Sequence, residues 1–322
     1  MTLLSDVGPR LLRGGPVATD VRAAVAADVA AFKKEFGYTP ELAVVIVGRD
    51  APSTVYLHKI LDGCRLVGIQ DRLVELADDC RPDALGRAIT ALGAERTVAG
   101  IIVQQPLPPG LPLRVVIDTL DPGKDIDGIH PLNAGLLSLG YEGFLPATAH
   151  AAVELLKRSG VELAGKHAVV VGRSNVVGKP AALLLLREHA TVTVCHSRTP
   201  DLGATIRGAD VVVVAAGRPG LVTGAMLKPG AVVVDVGINV VEGRLTGDVD
   251  FESAATVASA ITPVPGGVGP LTNAILLTHL VWAARNQAEG RTAPGAPSLR
   301  GAPLAGEPGT PAPATPTPQP AP

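Results

Sequence analysis

Residues 167–180 and 195–199 together describe how one dinucleotide would be held. The run 167–171 (HAVVV) is apolar and reads as a buried parallel strand. It passes into Gly172-Arg173-Ser174-Asn175-Val176-Val177-Gly178-Lys179-Pro180, and 181–187 then reads as an apolar helix. Strand, glycine turn and helix aim free backbone N–H groups and a helix dipole at a pyrophosphate. For NAD, a second strand, predicted over 191–195, would end about twenty residues on in an Asp or Glu gripping the ribose 2′-hydroxyl. The chain has His196-Ser197-Arg198-Thr199 there. Hydroxyl donors and a cation suit a 2′-phosphate, so the expected cofactor is NADP. The spacing Gly172-x-Ser174-x-x-x-Gly178 departs from G-x-G-x-x-G, and the acid-free strand end therefore carries as much of this reading as the turn.

Three further polar clusters fall where strands are expected to end. Gly48-Arg49-Asp50-Ala51-Pro52-Ser53-Thr54-Val55-Tyr56 opens a helix, with Ser53 a candidate cap. Gln104-Gln105-Pro106-Leu107-Pro108 follows another strand, and Lys124-Asp125-Ile126-Asp127-Gly128 lies in a loop between halves of the chain. Taken singly, each is equally a cap, a packing residue or a turn. Facing one cleft opposite a nucleotide site, they become candidates for binding and chemistry.

The elements that must position them alternate. Strands are predicted over 42–48, 72–76 and 100–104, with helices over 53–67, 82–92 and 113–120. Residues 121–148 read as Gly/Pro/Asp-rich loop. The pattern resumes with a helix over 150–159, strands at 167–171, 191–195, 210–215, 231–236 and 259–262, and a closing helix over 272–287. Repeated strand–helix–strand units imply parallel sheets with right-handed crossovers. The fold class expected is α/β, with two α/β domains around a cleft. The first occupies 1–146, with helix 272–287 packing back on it, and a Rossmann-type domain occupies 147–271. From Ala288 to Pro322 the chain holds ten of its 29 prolines and little to bury, which predicts a disordered tail.

Composition bounds the possibilities. With 322 residues the chain is long enough for two cores, and 47% hydrophobic but 2% aromatic residues mean cores of Val, Leu, Ile and Ala. A net charge of −2 without a basic run argues against nucleic acid and membrane surfaces as partners. The first fifteen residues lack signal-peptide organisation, and Cys64, Cys80 and Cys195 show no metal-ligand spacing. A cytoplasmic protein with reduced thiols and no metal is expected.

Several ordered motifs resemble the bifunctional methylenetetrahydrofolate dehydrogenase/methenyltetrahydrofolate cyclohydrolase family. They are Ser53-x-x-Tyr56, Val103-Gln104-x-Pro-Leu-Pro108, Lys124-Asp-Ile-Asp-Gly128 and Val171-Gly-Arg-Ser-x-x-Val-Gly-x-Pro180. Further matches are Asp235-Val-Gly-Ile-Asn239, Gly247-Asp248-Val249 and the stretch Ile261–Pro270, and the resemblance covers Leu42 through Ala284. It implies a homodimer in one-carbon metabolism and purine biosynthesis, with tetrahydrofolate derivatives as substrates. Tyr56, Gln104 and Asp127 would line the folate pocket and serve catalysis, with Pro265 and Gly266 also touching substrate. Gly172, Arg173, Ser174, Ser197 and Ile238 would contact NADP. A carboxylate such as Asp127 can accept both N–H donors of a pterin edge, and Arg173 with Ser197 offers a donor fork and a hydroxyl to phosphate.

One departure bears on chemistry. The family pattern is Tyr-x-x-x-Lys, yet Tyr56-Leu57-His58-Lys59-Ile60 puts Ile60 at the lysine's place. Lys59, one residue early, and His58 are the candidate substitutes, although adjacent helical positions point about 100° apart. Ala147 and Ala149 stand where Cys and Pro are expected. Other readings are a dehydrogenase without cyclohydrolase activity, a two-domain NADP dehydrogenase of shikimate or amino-acid type, and a paralogue that binds without catalysing.

Overall fold

The computed structural model describes residues 8–48 and 51–291, with the side chains of 51–56 left aside. Strand β1 (Arg10–Leu11) leads into helix α1 (Gly14–Phe36). The first α/β unit follows: β2 (Glu41–Val47), α2 (Ala51–Val67), β3 (Gln70–Leu76), α3 (Pro82–Ala94), β4 (Val98–Val103) and α4 (Leu113–Thr119). Helices α5 (Pro131–Leu139) and α6 (Ala147–Arg158) lead to the second unit. It contains β5 (His167–Val171), α7 (Gly178–Arg187), β6 (Thr191–Cys195), α8 (Leu202–Ile206), β7 (Val211–Val214) and β8 (Val232–Asp235). A hairpin of β9 (Asn239–Val241) and β10 (Arg244–Thr246), helix α9 (Phe251–Ala255), β11 (Ala260–Ile261) and the long α10 (Val268–Ala288) complete it.

The parallel α/β architecture matches the sequence expectation. Strands β2, β3 and β4 form one parallel sheet in the order β3-β2-β4. The second sheet runs β1-β11-β8-β7-β5-β6, all parallel. Counted within the second unit, its strand order is 2-1-3-4-5, the shorter of the two common doubly wound orders, with β1 as an added edge strand. The order reverses between β5 and β7, and sheets of this kind bind ligands at the strands' C-terminal ends beside such a reversal. Central strands β2, β5 and β7, and the buried edge strand β4, are nearly continuous runs of Val, Ile, Leu and Ala because both faces are covered.

Some elements differ from their predicted extents. Helix α5 lies inside the stretch read as loop: Pro131 begins it and the His130 ring accepts from Leu132 N at 3.0 Å, a start signal hidden among glycines. Helix α1 buries Val17, Val21, Val25 and Val29 at four-residue spacing. Helix α10 starts at Val268 rather than 272, because Pro270 is tolerated in a first turn. Helix α2 begins at Ala51, which puts Ser53 inside its first turn rather than at the cap. The expected disordered tail lies, beyond Arg291, outside the described residues.

Helix α10 is buried on nearly every side and packs on α1, α2, α6 and β4. The largest apolar cluster runs from α1 and β2 through α10 and α6 to β5 and α7, so one core underlies both sheets. At its centre Gly100 lets α10 and the 121–128 loop close on β4. A Cβ there would stand 2.6 Å from Leu280 Cδ1 and 2.7 Å from Ile126 Cγ2. Gly100→Ala should therefore destabilise the fold by about 1–3 kcal/mol, as overpacked cores do. Urea unfolding would detect this as a lower midpoint at unchanged slope.

Candidate active site

Asp127 and Gln104 are brought together. Gln104 continues β4, its N–H donating to Val45 O at 2.9 Å, and its side chain donates to Gln105 O at 3.0 Å. Asp127 ends a loop running beside β4, to which Ile101 N donates at Lys124 O, 2.8 Å. Both line a cavity of about 220 Å³ together with Ile60, Ile102, Thr148 and Leu276. Its remaining wall includes Val176 and Val177, from the glycine turn after β5. Residues from the end of one sheet thus face the turn at the end of the other.

The Lys124–Gly128 loop divides its work among three charged side chains. Lys124 is buried, its ammonium donates to Glu95 O at 2.8 Å, and burial holds its pKa below the usual lysine range. Asp125 is fully buried and accepts from Ile129 N (3.1 Å), His130 N (2.8 Å) and Asn133 Nδ2 (2.8 Å). Its pKa is pushed up to about 6, burial outweighing those donors. Asp127, partly open to the cavity, is raised to about 7, first by burial and then by the negative charge of Asp125. Lys124 and Asp125 hold the loop, and Asp127 is presented by it.

Ile60 and Lys59 part company as helix geometry requires. Ile60 is 2% exposed and lines the cavity of Asp127 and Gln104. Lys59 is exposed and lines a neighbouring cavity of about 520 Å³ beside Arg22 and Asp62. Pro265, Gly266 and Ile238 line that larger cavity too. Lys59, a candidate substitute, thus opens on a different cavity from Asp127, as the roughly 100° between adjacent helical positions leads one to expect. Thr148, in the first turn of α6, lines both cavities; no motif had singled it out. Tyr56 belongs to α2, but its side chain lies outside the described part.

Gly172, Arg173, Ser174 and Ser197 stand at the C-terminal ends of β5 and β6, on neither cavity's wall. Gly172 adopts φ +131°, in the region glycine favours, and a Cβ there would collide with the Ala215 carbonyl beyond β7. Ser174 Oγ accepts from Val177 N (3.1 Å) and Gly178 N (3.3 Å) as α7 begins, leaving its hydroxyl proton to donate. Arg173, Ser197 and Arg198 are exposed, and neither arginine pairs with a carboxylate among the described residues. Two unpaired guanidiniums, two hydroxyls and no acid at the end of β6 suit a phosphorylated ribose.

The Asp235-Val-Gly-Ile-Asn239 and Gly247-Asp248-Val249 motifs prove to be braces. Asp235 accepts from Gly237 N, Asp248 N and Val249 N at 2.9, 3.0 and 2.9 Å. Asp248 in turn accepts from Ala216 N, Gly217 N and Asn239 Nδ2, at 2.6, 2.8 and 2.9 Å. These two carboxylates lock the loops after β7 and β8, at those strands' C-terminal ends.

A family model for the tetrahydrofolate dehydrogenase/cyclohydrolase catalytic domain matches residues 12–127, and the model for that family's NAD(P)-binding domain matches 146–288. The bifunctional protein FolD of Roseiflexus sp. (strain RS-1) is 51% identical over 282 residues, which is 87% of this chain and 98% of that one. A solved bifunctional methylenetetrahydrofolate dehydrogenase/cyclohydrolase from Campylobacter jejuni superposes with TM-score 0.84 at 41% identity, covering 86% of this chain and 98% of its own. The Trypanosoma brucei enzyme, solved with NADP cofactor and inhibitor, gives TM-score 0.83 at 38% identity over 87% and 98%.

The site predicts a pH response. Asp127 accepts two N–H donors with both oxygens only as carboxylate, and burial and Asp125 push its pKa up to about 7. Affinity for a ligand held through it should rise as pH increases through about 7 and weaken below. Asp127→Asn should flatten that profile, measured as ligand affinity between pH 5.5 and 8.5.

Proposed function

The chain belongs to the tetrahydrofolate dehydrogenase/cyclohydrolase family, and we propose that it oxidises 5,10-methylenetetrahydrofolate to the 5,10-methenyl cation with NADP, then hydrolyses that cation to 10-formyltetrahydrofolate. The observation that carries this reading is the shared cavity. Gln104 and Asp127 line it from one sheet, Val176 and Val177 from the glycine turn of the other. A folate held by Asp127 there would present its bridge carbon toward a nicotinamide reaching in from β5.

NADP, when bound, supplies the hydride acceptor. The chain's residues do the holding: Asp127 accepts from the pterin edge, Gln104 offers an amide beside the bridge, and Arg173, Ser174 and Ser197 take the phosphates. Oxidation removes a hydride and leaves an amidinium, so no protein base is needed and alignment carries the step. Hydrolysis differs, since water must attack the bridge carbon and protons must move. At the position facing this cavity the chain has Ile60, which moves no proton.

We assign the folate role to residues 1–146 with helix 272–287, and the NADP role to 147–271, working as a cytoplasmic homodimer that supplies formyl groups for purine biosynthesis. The free thiols Cys64, Cys80 and Cys195 accord with a reducing compartment.

Mixing the protein with NADP⁺ and methylenetetrahydrofolate, and following NADPH and methenyl absorbance separately, tests the reading. We expect NADPH formation with methenyl product accumulating; no NADPH would sink it. Ile60→Lys should raise methenyl hydrolysis by something like ~10²–10⁴-fold, the usual contribution of a positioned acid/base group, and leave hydride transfer little changed. If Lys59→Ala abolishes hydrolysis in the natural sequence, Lys59 reaches the cation after all. Arg173→Ala should weaken NADP binding by about 1–3 kcal/mol and NAD binding much less, as calorimetric titration with each would show.

A further inference from the structure

We propose that His279, seconded by His150, is a positioning residue for Asp127: it fixes the peptide bond joining Ile126 to Asp127 and so aims that carboxylate into the cavity. The inference rests on the folate reading above and adds to it a residue that no sequence motif contains.

His279 sits in the middle of α10 with no exposed surface, among apolar neighbours. Burying an imidazole there is costly unless its nitrogens are satisfied. One is: Nδ1 lies 2.8 Å from the carbonyl oxygen of Ile126, a residue 153 positions away in sequence. A carbonyl only accepts, so Nδ1 carries the proton and Nε2 is left as an acceptor. His150 of α6 brings its Nδ1 to 3.4 Å from that Nε2, the two rings lying 18° from parallel. Phe144 meets His279 edge-on at 5.8 Å between centroids, and Trp282 meets Phe144 at 4.4 Å. Burial holds both imidazoles far below their ordinary pKa, His279 at about 4 and His150 at about 3. Both are therefore neutral at pH 7, as a donor chain from His150 through His279 to the carbonyl requires.

The carbonyl they hold belongs to the peptide that sets the direction of Asp127. Much of that segment is held by other contacts. Asp125 accepts from the N–H groups on its far side, Ile126 N donates to Lys124 O at 3.0 Å, and the Ile126 side chain is fully buried. The Ile126 carbonyl is the hydrogen-bonding group of this peptide that His279 takes. A second anchor lies two turns further along α10, where Gln287 Nε2 donates to Ala99 O (2.8 Å) and Gly123 O (3.3 Å). Without its donor the Ile126–Asp127 peptide can tip, and small misplacements of a binding group are costly to turnover.

Three substitutions separate positioning from mere packing. The Asn side-chain amide can place its N–H where Nδ1 stood, the Gln amide reaches the place of Nε2, and Leu fills the space with no donor. We expect His279→Asn to keep KM for methylenetetrahydrofolate within about threefold. His279→Gln and His279→Leu should raise it by roughly 10–100-fold while KM for NADP stays unchanged, with folded fraction matched by thermal melts. Equal rises in both KM values, or Asn behaving like Leu, would overturn the proposal. Hydrogen–deuterium exchange of the 121–130 segment supplies a readout without substrate. It should quicken in the Leu and Gln variants and remain native-like in Asn, and unchanged exchange in all three would refute the anchor. Because exchange needs no turnover, failure of the folate reading and failure of this inference can be told apart.

Discussion

Helix α10 is the constraint on which the rest of the structure depends. It is the last of the described elements, yet it packs on α1, α2, α6 and β4, and its residues reach both cavities. Its thirteen buried residues lie all around the axis, and each buried Leu or Ile contributes about 1.5–3 kcal/mol relative to exposure. A helix apolar on all sides has one stable place, inside a core. Putting it there joins the core of the first sheet to that of the second, and the two sets of strand ends are set facing one another. The cleft follows from that packing: Leu276 walls the smaller cavity and Leu277 the larger.

Buried carboxylates then do for the loops what α10 does for the sheets. Asp125, Asp235 and Asp248 each accept several N–H groups from segments beyond strand ends. Loops so held are rigid at the cleft, although they carry no regular structure. The cost is electrostatic: desolvation raises the pKa of Asp125 and Asp235 to about 6 despite the donors. Both carboxylates then contribute less than their hydrogen bonds suggest, and the negative charge of Asp125 is felt by Asp127, two residues on. A structural brace thereby helps set the protonation of the group that faces the ligand.

Much of this was legible in the sequence, and what was not has particular causes. Strand β5 lies where its apolar run puts it, because a central parallel strand must be continuously apolar, and edge strand β6 lies where its alternating Thr and Val residues put it, both bounded by turn residues. Gln104 could be placed at a cleft because it follows a parallel strand, and Asp127 because it lies in the Gly/Pro/Asp-rich loop between the two halves of the chain. Helix α5 was hidden because its start depends on a histidine ring and a proline amid glycines. His279 and Thr148 carried no signal. A histidine among leucines and a threonine between alanines gain their meaning only from neighbours brought close by the fold, such as Ile126 for His279 and Asp127 for Thr148. The Asp235 and Asp248 motifs were visible as motifs, but their work as braces required the hydrogen bonds.

The separation of Lys59 from Ile60 shows how little sequence distance means at such a site. Adjacent positions on α2 open on different cavities, one with Asp127 and Gln104, the other with Arg22, Asp62 and the Pro263–Pro270 stretch. The lysine stem is long enough to curl, yet at Ile60 the chain presents a buried aliphatic group to the reacting cavity. An aliphatic wall there costs hydride transfer little, since that step needs a dry, aligned pocket and no base. It removes from the same wall the kind of group that would speed hydrolysis of the cation. The two reactions share a cavity but not their demands on residue 60, and a single helical position can therefore set the balance between them.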